Sequence, residues 1–244
     1  MKTQDFEVVT MIKVISSTIC PFVQRVTALL EQKKIPYDIE YISLRDKPDW
    51  FLRISPNAQV PILITESGTA LFESDAIVEY LEEAYPALLP SVDSEVRAMD
   101  RAWSFLATKN YLVQCAAQRS EDEKTLVERT EKLGKAFAII EGALGEGPYF
   151  RGAEISLVDI AWLPLLHRAA LIERHTGYDF LEGYSMVKKW QRHLMDTGLA
   201  EKSVADDFET AFTDFYLSES TFLGNGDSTC CDRVAMHCGD AGCC

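Results

Sequence analysis

The sequence predicts an α/β domain followed by an all-helical domain, and three observations carry that prediction. Up to about residue 85, short β-branched apolar runs alternate with helix-like stretches. From Val96 onward, apolar residues recur at helical spacing. Between the two, Pro86, Pro90 and the acidic Ser91-Val92-Asp93-Ser94-Glu95 interrupt both patterns. The boundaries this implies are 1–87 for the first domain, 88–95 for a linker, 96–218 for the helical domain and 219–244 for a tail. A chain of 244 residues is long enough for one large or two small cores.

The first element is Met11-Ile12-Lys13-Val14-Ile15, a mostly apolar run that reads as a buried strand. Val26-Thr27-Ala28-Leu29-Leu30-Glu31-Gln32-Lys33 reads as a helix whose first position is Pro21, where a missing N–H is tolerated. Cys20 then takes the N-cap. There the unpaired N–H groups and the positive end of the helix dipole favour a thiolate, the nucleophilic form. A buried structural cysteine is the alternative, because free cysteines are often buried. Val23 stands where a Cys-x-x-Cys pair would have its second thiol, so Cys20 needs an external thiol to resolve a mixed disulfide.

Ile35-Pro36-Tyr37-Asp38-Ile39-Glu40-Tyr41-Ile42 alternates as a second strand, and strand-helix-strand order implies a parallel pair. Lys47-Pro48-Asp49-Trp50-Phe51-Leu52 reads as a short helix or turn. Val60-Pro61-Ile62-Leu63-Ile64 reads as a strand opening on a proline, with Val60-Pro61 the candidate cis bond. Glu66-Ser67-Gly68 turns the chain into Thr69-Ala70-Leu71-Phe72, and Ser74 or Asp75 caps a helix with Ile77, Val78 and Leu81 on its apolar face. Strand, helix, strand, helix, strand, strand, helix is a thioredoxin-like layout.

In the second domain, one helix is expected from Arg97 to about Arg119 and another from Lys124 to about Leu144, ended by Gly145-Glu146-Gly147-Pro148. Ile155-Ser156-Leu157-Val158-Asp159-Ile160 carries a helix-start signature. Ser156 caps, Asp159 is acidic at the third helical position, and Ile155 and Ile160 have the spacing of a hydrophobic staple. The helix behind it is apolar on most sides and is expected to be the core helix of this domain. Trp190 belongs to a later helix.

Composition narrows the function. A net charge of −14 and a pI near 4.7 argue against nucleic acid and anionic membrane surfaces as partners. No apolar run approaches the ~20 residues of a spanning helix. The acidic start Met1-Lys2-Thr3-Gln4-Asp5-Phe6-Glu7 has no signal-peptide pattern, so a cytoplasmic, reducing compartment is expected. Of seven cysteines, Cys20 and Cys115 lie in the body. Cys230, Cys231, Cys238, Cys243 and Cys244 crowd a tail of low apolar content, for which disorder is expected. Their spacing matches no standard zinc module, and no metal is expected to be required. His167, His175 and His193 show no nucleophile–base spacing.

These residues resemble the glutathione S-transferase superfamily, and within it the omega class, over residues 11 to about 218. Cys20-Pro21-Phe22 looks like the omega cysteine motif. Leu44-Arg45-Asp46-Lys47-Pro48-Asp49-Trp50-Phe51 looks like the segment that supplies a glutathione-binding lysine, here Lys47. Asn57-Ala58-Gln59-Val60-Pro61 looks like the segment whose valine backbone pairs with the tripeptide, and Glu73-Ser74 like the pair that holds its γ-glutamyl end. The resemblance implies glutathione as co-substrate, Cys20 as catalytic residue, and Phe22, Lys47, Val60, Glu73 and Ser74 as its binding residues. Pro61, Ser156 and Asp159 are structural in that reading. It further implies a homodimer and a thiol transferase or reductase, with dehydroascorbate or mixed disulfides as substrates. Conventional conjugation to an electrophile and a non-catalytic binding module are the alternatives. A second-substrate pocket between the domains is expected, with Trp103, Tyr111, Cys115 and Trp162 considered as lining and most of them expected to be core.

Overall fold

Five residues, Ile12 to Ser16, form β1 in the computed structural model, which describes residues 11–225. All of β1 except Lys13 is buried, as its apolar composition requires. Helix α1 (Pro21–Lys33) follows and ends at Lys34 in the left-handed conformation. Strand β2 (Tyr37–Tyr41) pairs parallel with β1, from Ile12 opposite Tyr37 to Ser16 opposite Tyr41. After α2 (Asp49–Ile54) come β3 (Ile62–Ile64) and β4 (Ala70–Phe72), then α3 (Ser74–Ala84). The sheet runs β2-β1-β3-β4, with β3 antiparallel to both neighbours. Gly68 closes the β3–β4 turn at φ +82, a conformation open to glycine at no steric cost. This is the thioredoxin-like layout expected.

The remaining helices are α4 (Ser94–Gln118), α5 (Glu123–Glu141), α6 (Leu157–Thr176), α7 (Ser185–Asp196), α8 (Leu199–Lys202) and α9 (Phe208–Tyr216). Every residue of α6 from Val158 through Ala169 is buried, because α1, α4 and α7 pack around it. Its start is fixed by Asp159, whose carboxyl accepts from the Ser156 N–H (2.8 Å) and the Ser156 hydroxyl (2.6 Å). The other Asp159 oxygen accepts from the Phe150 N–H (2.9 Å) and the Trp190 indole (2.7 Å). The capping residue thus also ties two other segments to the core helix.

Three expectations need correction. Ser74 is the first helical residue of α3, and Glu73, not Ser74 or Asp75, holds the N-cap position. Helix α4 begins at Ser94, with Asp93 accepting from the Val96 N–H (2.9 Å), so the acidic end of the expected linker is a helix start. Part of the segment 219–225, expected to be disordered, is packed: residues 221–224 are buried or half-buried. Thr221 and Leu223 are buried, and the Phe222 N–H donates to the Ser120 carbonyl (2.7 Å). Apolar side chains there cover the corner between α4 and α5. Gln24, Arg25 and Thr27 are also buried, because α1 is enclosed by α3, α6 and α8. The five tail cysteines lie outside the described residues.

Candidate active site

Strand pairing assembles the site. Ile15 of β1 lies opposite Ile62 of β3, and Ile62 lies opposite Phe72 of β4. Continued one or two residues, the same registers bring Val60, Pro61 and Glu73 level with Ser16 and Ser17, just ahead of Cys20. Parallel β2 also ends there, since Tyr41 is opposite Ser16, and it leads into the loop that carries Lys47. One end of the sheet therefore gathers Cys20, Phe22, Val60, Pro61, Glu73 and Ser74. Lys47 leaves from that end, in the loop before α2, but is held by no strand register and has no ion pair among the described residues.

Each position has a local cause. Cys20 is extended (φ −79, ψ 121) and its carbonyl accepts the first helical bond of α1, from the Gln24 N–H (3.1 Å). The Val60–Pro61 peptide bond is cis. Glu73 lies at φ +67, a strained value for a residue with a side chain, and its carboxylate accepts from the Asn57 side-chain amide (2.8 Å). Strain of this kind collects at ligand clamps. Ser74 is buried in the first turn of α3, where free N–H groups favour a carboxylate. Phe22 packs edge-on against Tyr111, ring centroids 5.0 Å apart.

The electrostatics at Cys20 overturn one expectation. Burial pushes the thiol up from its ordinary value, and this outweighs the opposing groups. Those groups are the Val23 and Phe22 N–H groups of the first turn, which favour charge on the sulfur, and the nearby Arg168 guanidinium. The helix end does what its position demands, but the residue is partly buried and its sulfur loses more hydration than the turn restores.

Comparison with known proteins fits this arrangement. Residues 19–84 match the glutathione S-transferase N-terminal domain and residues 117–192 the glutathione S-transferase C-terminal domain. Glutathione S-transferase omega-1 of Sus scrofa is 31% identical over 215 residues, covering 86% of this chain and 88% of the relative. The chain belongs to the glutathione S-transferase family. A probable glutathione S-transferase of Oryza sativa, DHAR1, cytosolic, is 30% identical, covering 72% of this chain and 79% of the relative. Pyrimidodiazepine synthase of Drosophila melanogaster is 46% identical over 176 residues, 69% of each chain. Among solved structures, glutathione transferase Omega 3C from Trametes versicolor superimposes with a TM-score of 0.69 at 28% identity, covering 80% of this chain and 89% of that one.

In this glutathione transferase the residues considered for the second-substrate pocket divide. Tyr111 and Trp162 are core: the Tyr111 hydroxyl donates to the Ala161 carbonyl (2.5 Å) and the Trp162 indole to the Trp103 carbonyl (3.1 Å). Cys115 is half-buried, beside Tyr216 of α9, and close enough to act on Cys20. An open cavity of about 410 Å³ lies elsewhere, between Tyr37, Ile39 and Tyr41 of β2 and the segment 203–207. Sequence reasoning missed Asn57, Gln24 and Arg168. Only Arg168 left a signal, as a charge between the apolar runs 160–166 and 169–172 of α6.

Proposed function

We propose that this glutathione transferase performs thiol transfer and glutathione-dependent reduction through a Cys20–glutathione mixed disulfide. The observation that carries the reading is a cysteine, not a hydroxyl, at the N-cap of α1, where the Phe22 and Val23 N–H groups of the first turn favour charge on the sulfur. Those donors stabilise negative charge on sulfur, which both the attacking and the leaving thiolate bear. The raised thiol leaves a smaller thiolate fraction at neutral pH. Each thiolate is then intrinsically more nucleophilic, which offsets part of that loss.

The groups around Cys20 suit a zwitterionic tripeptide. Ser74 and the first turn of α3 face the γ-glutamyl carboxylate, Glu73 its ammonium, Lys47 the glycine carboxylate and the Val60 backbone the central residue. Phe22 bounds the site beside the sulfur. Pro61, Ser156 and Asp159 hold the scaffold. In the first step the Cys20 thiolate attacks the glutathionyl sulfur of a mixed disulfide. The new Cys20–glutathione bond forms, the old S–S bond breaks and the substrate leaves as a thiolate. A second glutathione thiolate then attacks that sulfur, releasing oxidised glutathione and restoring Cys20. Dehydroascorbate reduction by two glutathiones yields ascorbate and the same disulfide, and the name of the Oryza relative favours this substrate.

The test is turnover with dehydroascorbate, a mixed disulfide and an aromatic halide, beside mass spectrometry after exposure to oxidised glutathione. One glutathione adduct on Cys20 and loss of the first two activities in Cys20→Ala are expected. An unmodified Cys20, or full turnover in Cys20→Ala, overturns the reading. The 46% identical relative adds a second reading, pyrimidodiazepine formation, to be assayed in parallel. The same proposal includes a division between the two halves ahead of the α4 cap at Asp93, a cytoplasmic location and a homodimer. Among the described residues no helix is long and apolar enough to cross a membrane. Exposed Phe72, Phe105 and Leu112 offer apolar surface for a second copy, which light scattering would detect.

A further inference from the structure

Arg168 lies in α6 and is fully buried. A guanidinium taken out of water is normally paired with a carboxylate. Among the described residues none is within ion-pair distance of it. Its partners are neutral. One terminal nitrogen donates to Gln24 Oε1 in α1 and to the Pro164 carbonyl (3.1 Å), and the other donates to the Ile19 carbonyl (3.1 Å). The guanidinium also lies over the Phe208 ring of α9, 5.4 Å from its centroid. Nε is buried without a hydrogen-bond partner among the described residues.

The ionisable groups facing this charge are thiols and phenols: Cys20, Cys115 and Tyr111 of α4, and Tyr216 of α9. His167, its neighbour in α6, stays neutral, and the Arg25–Asp75 pair acts on Tyr111 from the side of α1 and α3. Burial pushes both phenols up, so neither supplies a negative charge near neutral pH. Cys20 differs from Cys115 in two ways. It sits at the N-cap of α1, where backbone N–H groups of the first turn favour charge on its sulfur, and the residue before it, Ile19, is bound to Arg168.

We propose that Arg168 is a positioning residue for Cys20. It pins the Ile19–Cys20 turn to α6 and supplies the buried positive charge that favours the Cys20 thiolate. The proposal rests on Cys20 being the nucleophile. Leaving the guanidinium without a carboxylate keeps its field directed at the sulfur. A carboxylate in place of Gln24 would quench that field at almost unchanged side-chain volume.

The experiment is the pH dependence of Cys20 alkylation by iodoacetamide in the full chain, read at Cys20 by peptide mass spectrometry. The variants are Arg168→Met, Arg168→Lys and Gln24→Glu, each with a thermal melt to report folding. Arg168→Met is expected to move the midpoint up by about one pH unit or more, the scale of a nearby opposite charge. Gln24→Glu should move it the same way, and Arg168→Lys, which keeps the charge, less than half as far. If Arg168→Met does not fold, the other two variants decide. Unchanged midpoints in folded Arg168→Met or Gln24→Glu overturn the proposal, as does a shift in Arg168→Lys equal to that in Arg168→Met. Turnover of Cys20→Ala separates the two ideas. Retained turnover sinks the nucleophile reading, whereas lost turnover with unmoved midpoints sinks the role of Arg168 alone.

Discussion

Cys20 is a residue on which two ordinary effects oppose each other, and their balance sets its chemistry. Two N–H donors and a guanidinium favour the thiolate, and lost hydration favours the thiol and prevails. The sign of the pH dependence follows. The thiolate is the reactive form, and its fraction grows with pH until the thiol is fully ionised. Alkylation of Cys20 in the free protein should therefore still be accelerating at about pH 8.5, the usual thiol value. A plateau already reached at pH 7 would show that the helix end outweighs burial. His167 gives a second residue-scale prediction. It is buried between α1 and α6, with Nδ1 2.9 Å from the Gln24 amide nitrogen. Burial, then the charges of Arg168 and Arg174, push it down to about 3. An unfolded histidine takes its proton near pH 6.5, and the folded one does not until about pH 3. Between those values the unfolded state binds more protons, so stability falls as pH falls, by up to about 1.4 kcal/mol per pH unit from this group. His167→Gln should remove about 2 to 3 kcal/mol of the stability difference between pH 6.5 and 4.5 in urea titrations. An unchanged difference would mean that the imidazole is protonated in the folded protein.

At the scale of the element, caps decide where helices start and one cap does more than that. Asp159 accepts from Ser156, Phe150 and Trp190 at once, all within 2.6 to 2.9 Å. Asp159→Ala strips partners from four donors in a buried region, so it should cost about 3 kcal/mol or more in urea unfolding. Ser156→Ala removes a single hydroxyl and should cost only about 1 kcal/mol. Equal costs would show that the links to Phe150 and Trp190 carry no weight. The Ser156–Asp159 pair was legible because a capping box is local, with all its information within four residues. Pro21 fixed the start of α1 for the same reason. The strand pairs could be ordered because β-branched runs, a proline and a glycine turn are local signals too. The start of α3 was less legible. The left-handed value at Glu73 depends on the register of β4 against β3 and on Asn57, sixteen residues earlier in the chain. Gln24, Arg25 and Thr27 on α1 look like a solvated face in sequence. Only the packing of α3, α6 and α8 around α1 buries them. Arg168 escaped for the same reason, since its partners Gln24 and Ile19 lie 144 and 149 residues away.

Across the whole molecule, those same contacts join the sheet-bearing half to the helical half. The Thr27 hydroxyl donates to the Ser203 carbonyl (2.6 Å), Gln24 meets His167 and Arg168, and Ile19 meets Arg168. Polar groups buried at such a boundary lose their partners if either side opens, and a buried unpaired group costs about 1–3 kcal/mol. Several such costs together exceed what a small four-stranded sheet retains alone, because a small core is marginal. The two halves should therefore unfold as one. Hydrogen exchange followed by mass spectrometry across a urea series should give a common midpoint for peptides from β1 and β3 and for those from α4 and α6. Glutathione contacts would come from the sheet end alone, yet ligand bound only by the folded state stabilises the entire cooperative unit. Adding glutathione at about 100 times its dissociation constant should raise all four midpoints together, by the urea equivalent of about 2.7 kcal/mol of added stability. If β1 and β3 lose protection at lower urea than α6, or if glutathione protects them and leaves α6 unmoved, the boundary is a loose contact. Arg168 could then not hold Cys20 in a fixed position.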